Sequence, residues 1–172
     1  INTDAKTVSV LNTETGEEFK DSYDKLILSP GAKAIKPNIP GADLESVFSL
    51  LTVEDAFGLH DSIKAENVRS AVIAGGGFLG LEAAENFKHL GIEVTMVQSS
   101  GHMFPALDPD LATQVHAALR ENDVAFMLGN KISVIEKEGE KSVCTLSNGE
   151  KVTCDLVLFA IGMIPDTVLA EE

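Results

Sequence analysis

SAVIAGGGFLGLEAAENFKHLGIEVTMVQSS, residues 70–100, places a strand, a glycine loop, a helix and a second strand in one continuous stretch. The run Ala71-Val72-Ile73-Ala74 is short, apolar and rich in branched side chains, as a strand buried on both faces of a parallel sheet requires. It ends in Gly75-Gly76-Gly77-Phe78-Leu79-Gly80, which supplies G-x-G-x-x-G. In that pattern Gly75 permits the tight turn, Gly77 lets backbone approach a pyrophosphate, and Gly80 lets the helix pack closely on the strand. From Phe78 to Leu90 the chain is rich in good helix formers, and Gly91 supplies the stop. Ile92 to Val97 reads as the second strand, and the whole as a dinucleotide-binding βαβ unit.

An acidic residue is expected about twenty residues on, to accept hydrogen bonds from the ribose diol and repel a 2′-phosphate. Gln98 stands there instead, followed by Ser99 and Ser100, with His102 close by and no Arg or Lys to pair with a 2′-phosphate. An amide can bond the diol but repels nothing. The expectation is relaxed selectivity, with NADH preferred over NADPH and NADP(H) still admitted.

The chain has 172 residues, 44% of them hydrophobic, enough to bury one good core. Its apolar runs are too short to cross a bilayer, and no leader pattern opens it, so no membrane association and a cytoplasmic location are expected. A net charge of −14 excludes nucleic-acid binding through a basic face. It also leaves a bound pyrophosphate to backbone N–H groups and the helix dipole at Gly77 to Gly80. His60, His89, His102 and His116 share no metal-ligand spacing, so no metal site is expected.

Cys144 and Cys154 flank Ser147-Asn148-Gly149-Glu150, a hairpin signal. A two-residue turn at Asn148-Gly149 puts Cys144 opposite Thr153, which sends the two thiols to opposite faces and disfavours a disulfide. Neither cysteine sits in C-x-x-C, so both read as buried structural thiols and no catalytic residue is assigned.

The layout repeats. A hairpin from Lys141 runs into Asp155-Leu156-Val157-Leu158-Phe159-Ala160-Ile161-Gly162, and an earlier one from Lys6, turning around Thr15-Gly16, runs into Asp24-Lys25-Leu26-Ile27-Leu28-Ser29-Pro30-Gly31. The second copy closes the unit that begins at Ser70. The first closes nothing, which predicts a strand over 24–28 whose partners lie upstream in a larger protein. Between the copies, Lys36-Pro37-Asn38-Ile39-Pro40-Gly41 is a stiff linker. Thr52 is a helix cap with Asp55 three residues on, and Ala56, Leu59 and Ile63 form its apolar stripe. Asp108-Pro109 caps another helix with Leu111, Val115 and Leu119 as its buried face, and Val124 to Met127 follows as a strand.

The segments Tyr23 to Gly31, Pro37 to Gly41, GGGFLGLEAAE, and Phe159-Ala160-Ile161-Gly162-Met163-Ile164-Pro165-Asp166 resemble the FAD-dependent pyridine nucleotide-disulfide oxidoreductases. Leu107-Asp108-Pro109-Asp110-Leu111-Ala112 is most similar to the coenzyme A-disulfide reductase, NADH oxidase and persulfide reductase branch. The resemblance implies an α/β, Rossmann-like three-layer FAD/NAD(P)-binding fold with a parallel sheet and an antiparallel hairpin or meander crossover. It implies residues 1–41 as part of an FAD domain, 42–165 as an NAD(P)H-binding domain, and 166–172 as the return into the FAD domain.

It further implies that NAD(P)H passes hydride to FAD and on to a disulfide, persulfide, peroxide or oxygen in the full-length protein. Phe78 matches the aromatic residue that covers the flavin and swings aside for the nicotinamide, Leu79 lies against the cofactor, and Glu82 matches a glutamate near the nicotinamide. Gln98 and Ser99 fall at the ribose end, and Ile161 and Gly162 in the second small-x-Gly turn. Ser29-Pro30-Gly31 and Ala160-Ile161-Gly162 depart from the commoner A-T-G, keeping the glycine and losing a hydroxyl. The active cysteine, flavin loop and dimerisation domain of a homodimer would lie outside this chain, so the isolated chain is expected to be inactive. Two other readings stay open: a nucleotide-sensing module without catalysis, and a flavin-free NAD-dependent dehydrogenase domain. The duplicated hairpin-plus-strand segment favours the flavoenzyme reading over both.

Overall fold

A computed structural model describes residues 1–171. The elements in order are β1 (Thr7–Leu11), β2 (Glu18–Ser22), β3 (Ala32–Ala34), β4 (Val47–Ser49), α1 (Val53–Ala65), β5 (Ser70–Ala74), α2 (Phe78–His89) and β6 (Glu93–Gln98). They continue as α3 (Pro109–Glu121), β7 (Ala125–Leu128), β8 (Ile132–Glu138), β9 (Lys141–Leu146), β10 (Lys151–Cys154), β11 (Leu156–Phe159), β12 (Met163–Pro165) and α4 (Val168–Glu171). The chain divides into two compact units, one of Ile1–Lys33 with Ile164–Glu172 and one of Ala34–Met163. Among the described residues no helix is long and apolar enough to cross a membrane.

The larger unit is three-layered. Its centre is a five-stranded parallel sheet in the order β4-β11-β5-β6-β7. Strand alternation sorts the side chains of β5 and β11 to two faces. Ala71, Ile73, Leu156 and Leu158 pack with Leu59, Ala84, Phe87 and Leu119 of the helices. Val72, Ala74, Val157 and Phe159 pack instead with Ile135, Cys144, Leu146 and Cys154 of the antiparallel meander β8-β9-β10. This is why Ala71 to Ala74 of β5 and all four residues of β11 are apolar: both faces are covered.

Caps fix the helices. Thr52 accepts from Asp55 N at 3.1 Å, and the Asp55 carboxylate accepts from Thr52 N at 2.8 Å, a complete capping box whose backbone bond holds that carboxyl below the usual range. Of the expected stripe Leu59 is buried and Ile63 half-buried, but Ala56 is exposed. In α3 Pro109 holds the first position as expected, while Asp108 makes no side-chain cap bond. The buried face there is Ala112 and Leu119, with Leu111 47% exposed. Val115 and Leu119 thus pack on the core as expected, while Ala112 takes the place expected for Leu111.

Asp155 fastens the meander to the parallel sheet. Its carboxylate accepts from Arg69 N at 3.0 Å, Ser70 N at 2.9 Å and Ser70 Oγ at 2.9 Å, and pairs with Lys141. Burial alone would raise its pKa. The Lys141 ammonium, then the Arg69 and Ser70 donors, outweigh burial and bring it down to about 2.

The second hairpin turns differently from the two-residue expectation. Leu146 N donates to Glu150 O and Gly149 N to Leu146 O, with Gly149 at φ +87°, so the loop has three residues, Ser147 to Gly149. Cys144 therefore pairs with Val152 and not Thr153, and Cys154 pairs with Ser142. The one-residue shift puts both thiols on the same, core-facing side as diagonal neighbours. They are free and buried, as expected, and hydrogen bonding to Cys154 together with burial pushes the Cys144 thiol upward.

In the smaller unit β1 and β2 form the expected antiparallel hairpin, with Gly16 at φ +73° in its turn. Residues 24–28 do not form the expected strand, and Ile27 is 88% exposed. A strand exists only with a hydrogen-bonded neighbour, and among the described residues none pairs with this segment.

Candidate nucleotide site

The site is built where β5 and β11 end side by side. Gly75 N donates to Val97 O and Ala160 N to Ala74 O, both at 2.8 Å, which sets two turns next to each other at the carboxyl edge of the sheet. Gly75 has φ +111°, and a Cβ placed on it would lie 2.3 Å from Ala160 O. A Cβ on Gly80 would lie 2.1 Å from Gly75 O. Only hydrogen fits at either position, so strand, turn and helix are in backbone contact, as the sequence pattern requires. Gly77 differs: it caps α2 with extended backbone, offers no side-chain cap, and a Cβ there would meet nothing within 4 Å. The first turn of α2 thus presents N–H groups to an open space.

That space is a groove of about 480 Å³. It is walled on one side by Gly75, Gly77, Phe78 and Leu79, and on the other by Ile161 and Gly162. Gln98 and Ser99 line one end. No charged residue lines it; Lys131 borders an adjoining cavity of about 360 Å³ that shares Gly75, Gln98, Ser99 and Ile161. The structure therefore brings nine of the ten sequence-assigned residues together at this edge, Gly80 from beneath. Glu82 is the exception: it is exposed on α2 and lines the groove between α1 and α2 along with Leu79.

Gln98 points inward. Its side chain is buried, Oε1 accepts from Gly76 N at 2.9 Å, and Nε2 donates to Ser100 Oγ at 2.7 Å, which in turn donates to His102 O at 2.7 Å. Phe104 N donates back to Gly76 O at 2.6 Å. The segment 98–104 is thereby stitched to the middle of the glycine loop. Phe78 is 80% exposed and meets the Phe104 ring edge-on, with centroids 4.4 Å apart and planes at 85°. Sequence reasoning missed Gly76 as the anchor of this network, and Phe104, held at φ +53°, which carries no sequence signal for that conformation. Leu50, Leu51 and Pro105, also at the groove, were missed as well.

The model of the family described as pyridine nucleotide-disulphide oxidoreductase matches residues 1–172. The chain belongs to that family. A coenzyme A disulfide reductase of Staphylococcus aureus is 32% identical over the whole chain, which spans 38% of that relative. The structure of reduced Bacillus anthracis CoADR-RHD superposes with a TM-score of 0.92 at 36% identity, covering 99% of this chain and 30% of that one. An engineered water-forming NADPH oxidase, solved with NADPH, superposes with a TM-score of 0.89 at 26% identity, covering 99% of this chain and 38% of that one. It is a variant of the Lactobacillus brevis water-forming NADH oxidase and carries substitutions of a Gly, an Asp, an Ala, a Met and a Pro. This member of the family thus spans well under half the length of each of these three relatives.

Proposed function

We propose that this chain is the NAD(P)H-binding part of an FAD-dependent oxidoreductase. In this reading 42–165 bind the dinucleotide, while 1–41 and 166–172 belong to an FAD domain completed by the rest of the protein. The observation that carries it is the open, uncapped helix start at Gly77 beside two glycine turns whose backbones touch. Where Gly75 and Gly80 have no room for a Cβ, Gly77 faces free volume, the arrangement a pyrophosphate needs for backbone donors to reach it.

The chain's residues divide the work. N–H groups of Gly77, Phe78 and Leu79 hold the pyrophosphate, with the positive end of α2 behind them. Ile161 and Gly162 flank the nicotinamide half. Phe78, exposed and set against the edge of the Phe104 ring, would cover the flavin and give way to the nicotinamide. Glu82 stands one helical turn beyond Phe78 and would lie near the nicotinamide, although its side chain borders the groove between α1 and α2 in this structure. When bound, the nicotinamide supplies a hydride and FAD accepts it, passing electrons to a disulfide, persulfide, peroxide or oxygen. The full-length protein is a cytoplasmic homodimer in this reading. Titration of that protein with NADH tests it: saturable binding in the micromolar range or tighter supports it, and absence of binding to both NADH and NADPH overturns it.

NADH is preferred and NADPH tolerated. The five positions substituted in the engineered NADPH oxidase have the spacing of Gly80, Gln98, Ser99, Ser100 and Pro105 here. At those positions this chain keeps the Gly and the Pro, lacks the acid and already carries one serine, but has neither arginine of the engineered enzyme. Because Gln98 braces Gly76, its amide acts on the loop more than on the ribose. Ser99→Arg is expected to raise NADPH affinity by about tenfold through a charge-assisted pair with the 2′-phosphate. Gln98→Glu is expected to keep the Gly76 bond and lower NADPH affinity by a similar factor, leaving NADH within about threefold. Kd values for both nucleotides check each outcome.

A further inference from the structure

The loop that lines the ribose end is held from behind by α3. Met103 N donates to His116 Nε2 at 3.0 Å, so that nitrogen carries no proton and the neutral ring is protonated at Nδ1. Met103 is fully buried, and its sulfur sits against Gly76, 2.3 Å from where a Cβ would be on that glycine. The next residue, Phe104, donates to Gly76 O. One imidazole therefore holds the peptide that presses on the centre of the glycine loop.

We propose that His116 is a positioning residue for the dinucleotide loop, and that proton uptake at its Nε2 releases Met103 and loosens nucleotide binding in acid. This rests on the nucleotide-binding reading given above. An imidazolium donates from both nitrogens, so a protonated Nε2 would face the Met103 N–H donor to donor. Around the ring stand Arg120, one turn on in α3, and His102 from the loop, while β7 contributes the Phe126 ring, 5.1 Å away and tilted by 30°. Arg120 also lies 5.1 Å from the Phe126 centroid, so its positive charge shares this pocket. Burial first, then Arg120 and His102, hold the His116 pKa below its ordinary value. At neutral pH the ring is thus uncharged and the loop braced. His102 cannot act in the same way: its Nδ1 lies 3.0 Å from Met103 O, and a nitrogen donating to a carbonyl keeps its proton in both forms.

The test uses full-length protein and ADP-ribose, which carries the adenosine half and pyrophosphate but has no hydride to give. Calorimetric Kd values between about pH 5 and 8 should show wild-type affinity falling by about fivefold toward the acid end, the equivalent of one hydrogen bond. His116→Gln places an amide oxygen where Nε2 was and takes up no proton, so its affinity should match wild type at neutral pH and stay within about twofold across the range. His116→Leu should bind at all pH values like the acid form of wild type. An acid loss of the same size in His116→Gln, or wild-type affinity in His116→Leu, would overturn the proposal and leave the nucleotide reading intact. No binding of ADP-ribose by wild type at any pH would remove both.

Discussion

Gly75→Ala is expected to destabilise the nucleotide-binding unit by about 2–6 kcal/mol and to abolish measurable NADH binding. Two costs add. A left-handed backbone, here φ +111°, costs a non-glycine residue about 1–3 kcal/mol, and a methyl forced against packed atoms costs about 1–3 kcal/mol more. The obstacle is the Ala160 carbonyl, 2.3 Å from the new Cβ, and backbone in the adjoining turn cannot rotate away as a side chain could. Separating the turns at Gly75 and Ala160 widens the groove proposed for the dinucleotide. Gly77→Ala is the informative companion. Its Cβ meets nothing and its backbone is extended, so stability should fall by only about 0.5–1 kcal/mol, the difference between glycine and alanine at an N-cap. NADH affinity should nevertheless fall by about tenfold or more, because the methyl enters the volume assigned to the pyrophosphate. Denaturation midpoints and NADH Kd values measured together separate the two effects. Equal losses of stability in both variants would contradict the division between a packing glycine and a ligand-facing one.

Asp155→Asn should cost about 2 kcal/mol at pH 7. The carboxyl is held at about 2 in the folded chain, against an ordinary value of 3.8, and each unit of difference is about 1.4 kcal/mol. The sign follows from the depressed value. The unfolded chain binds the proton more readily, so the stabilisation is complete above about pH 4 and lost as pH falls through about 2. The gap between wild type and Asp155→Asn in urea denaturation should therefore be constant near neutrality and close in acid. A gap unchanged between about pH 5 and pH 2 would mean that the Lys141 pair and the Arg69 and Ser70 bonds act by shape and not by charge.

The features legible in the sequence are those set by local pattern. The βαβ unit, the Thr52 capping box, Pro109 at a helix start and the three glycines all follow from periodicity and backbone geometry confined to a few neighbouring residues. The features that escaped depend on a single residue of register or on long-range contacts. Asn148-Gly149 signals a turn but not its length, and the third loop residue moved Cys144 from Thr153 to Val152. Leu111 and Ala112 exchange places on α3 because the sheet, not the helix, decides which side of a stripe is buried. Leu26 to Leu28 has the composition of a strand, but pairing needs a neighbour and composition does not supply one. Spacing puts Gln98 at the position expected for the ribose end, yet its inward turn toward Gly76 depends on the fold of 98–104 and is invisible to spacing.

The most direct measurement is the absorbance spectrum of the full-length protein without oxygen, before and after one equivalent of NADH. The account predicts flavin bands that bleach on addition. A protein that binds NADH but shows no flavin absorbance, or flavin bands that NADH leaves unchanged, would contradict it.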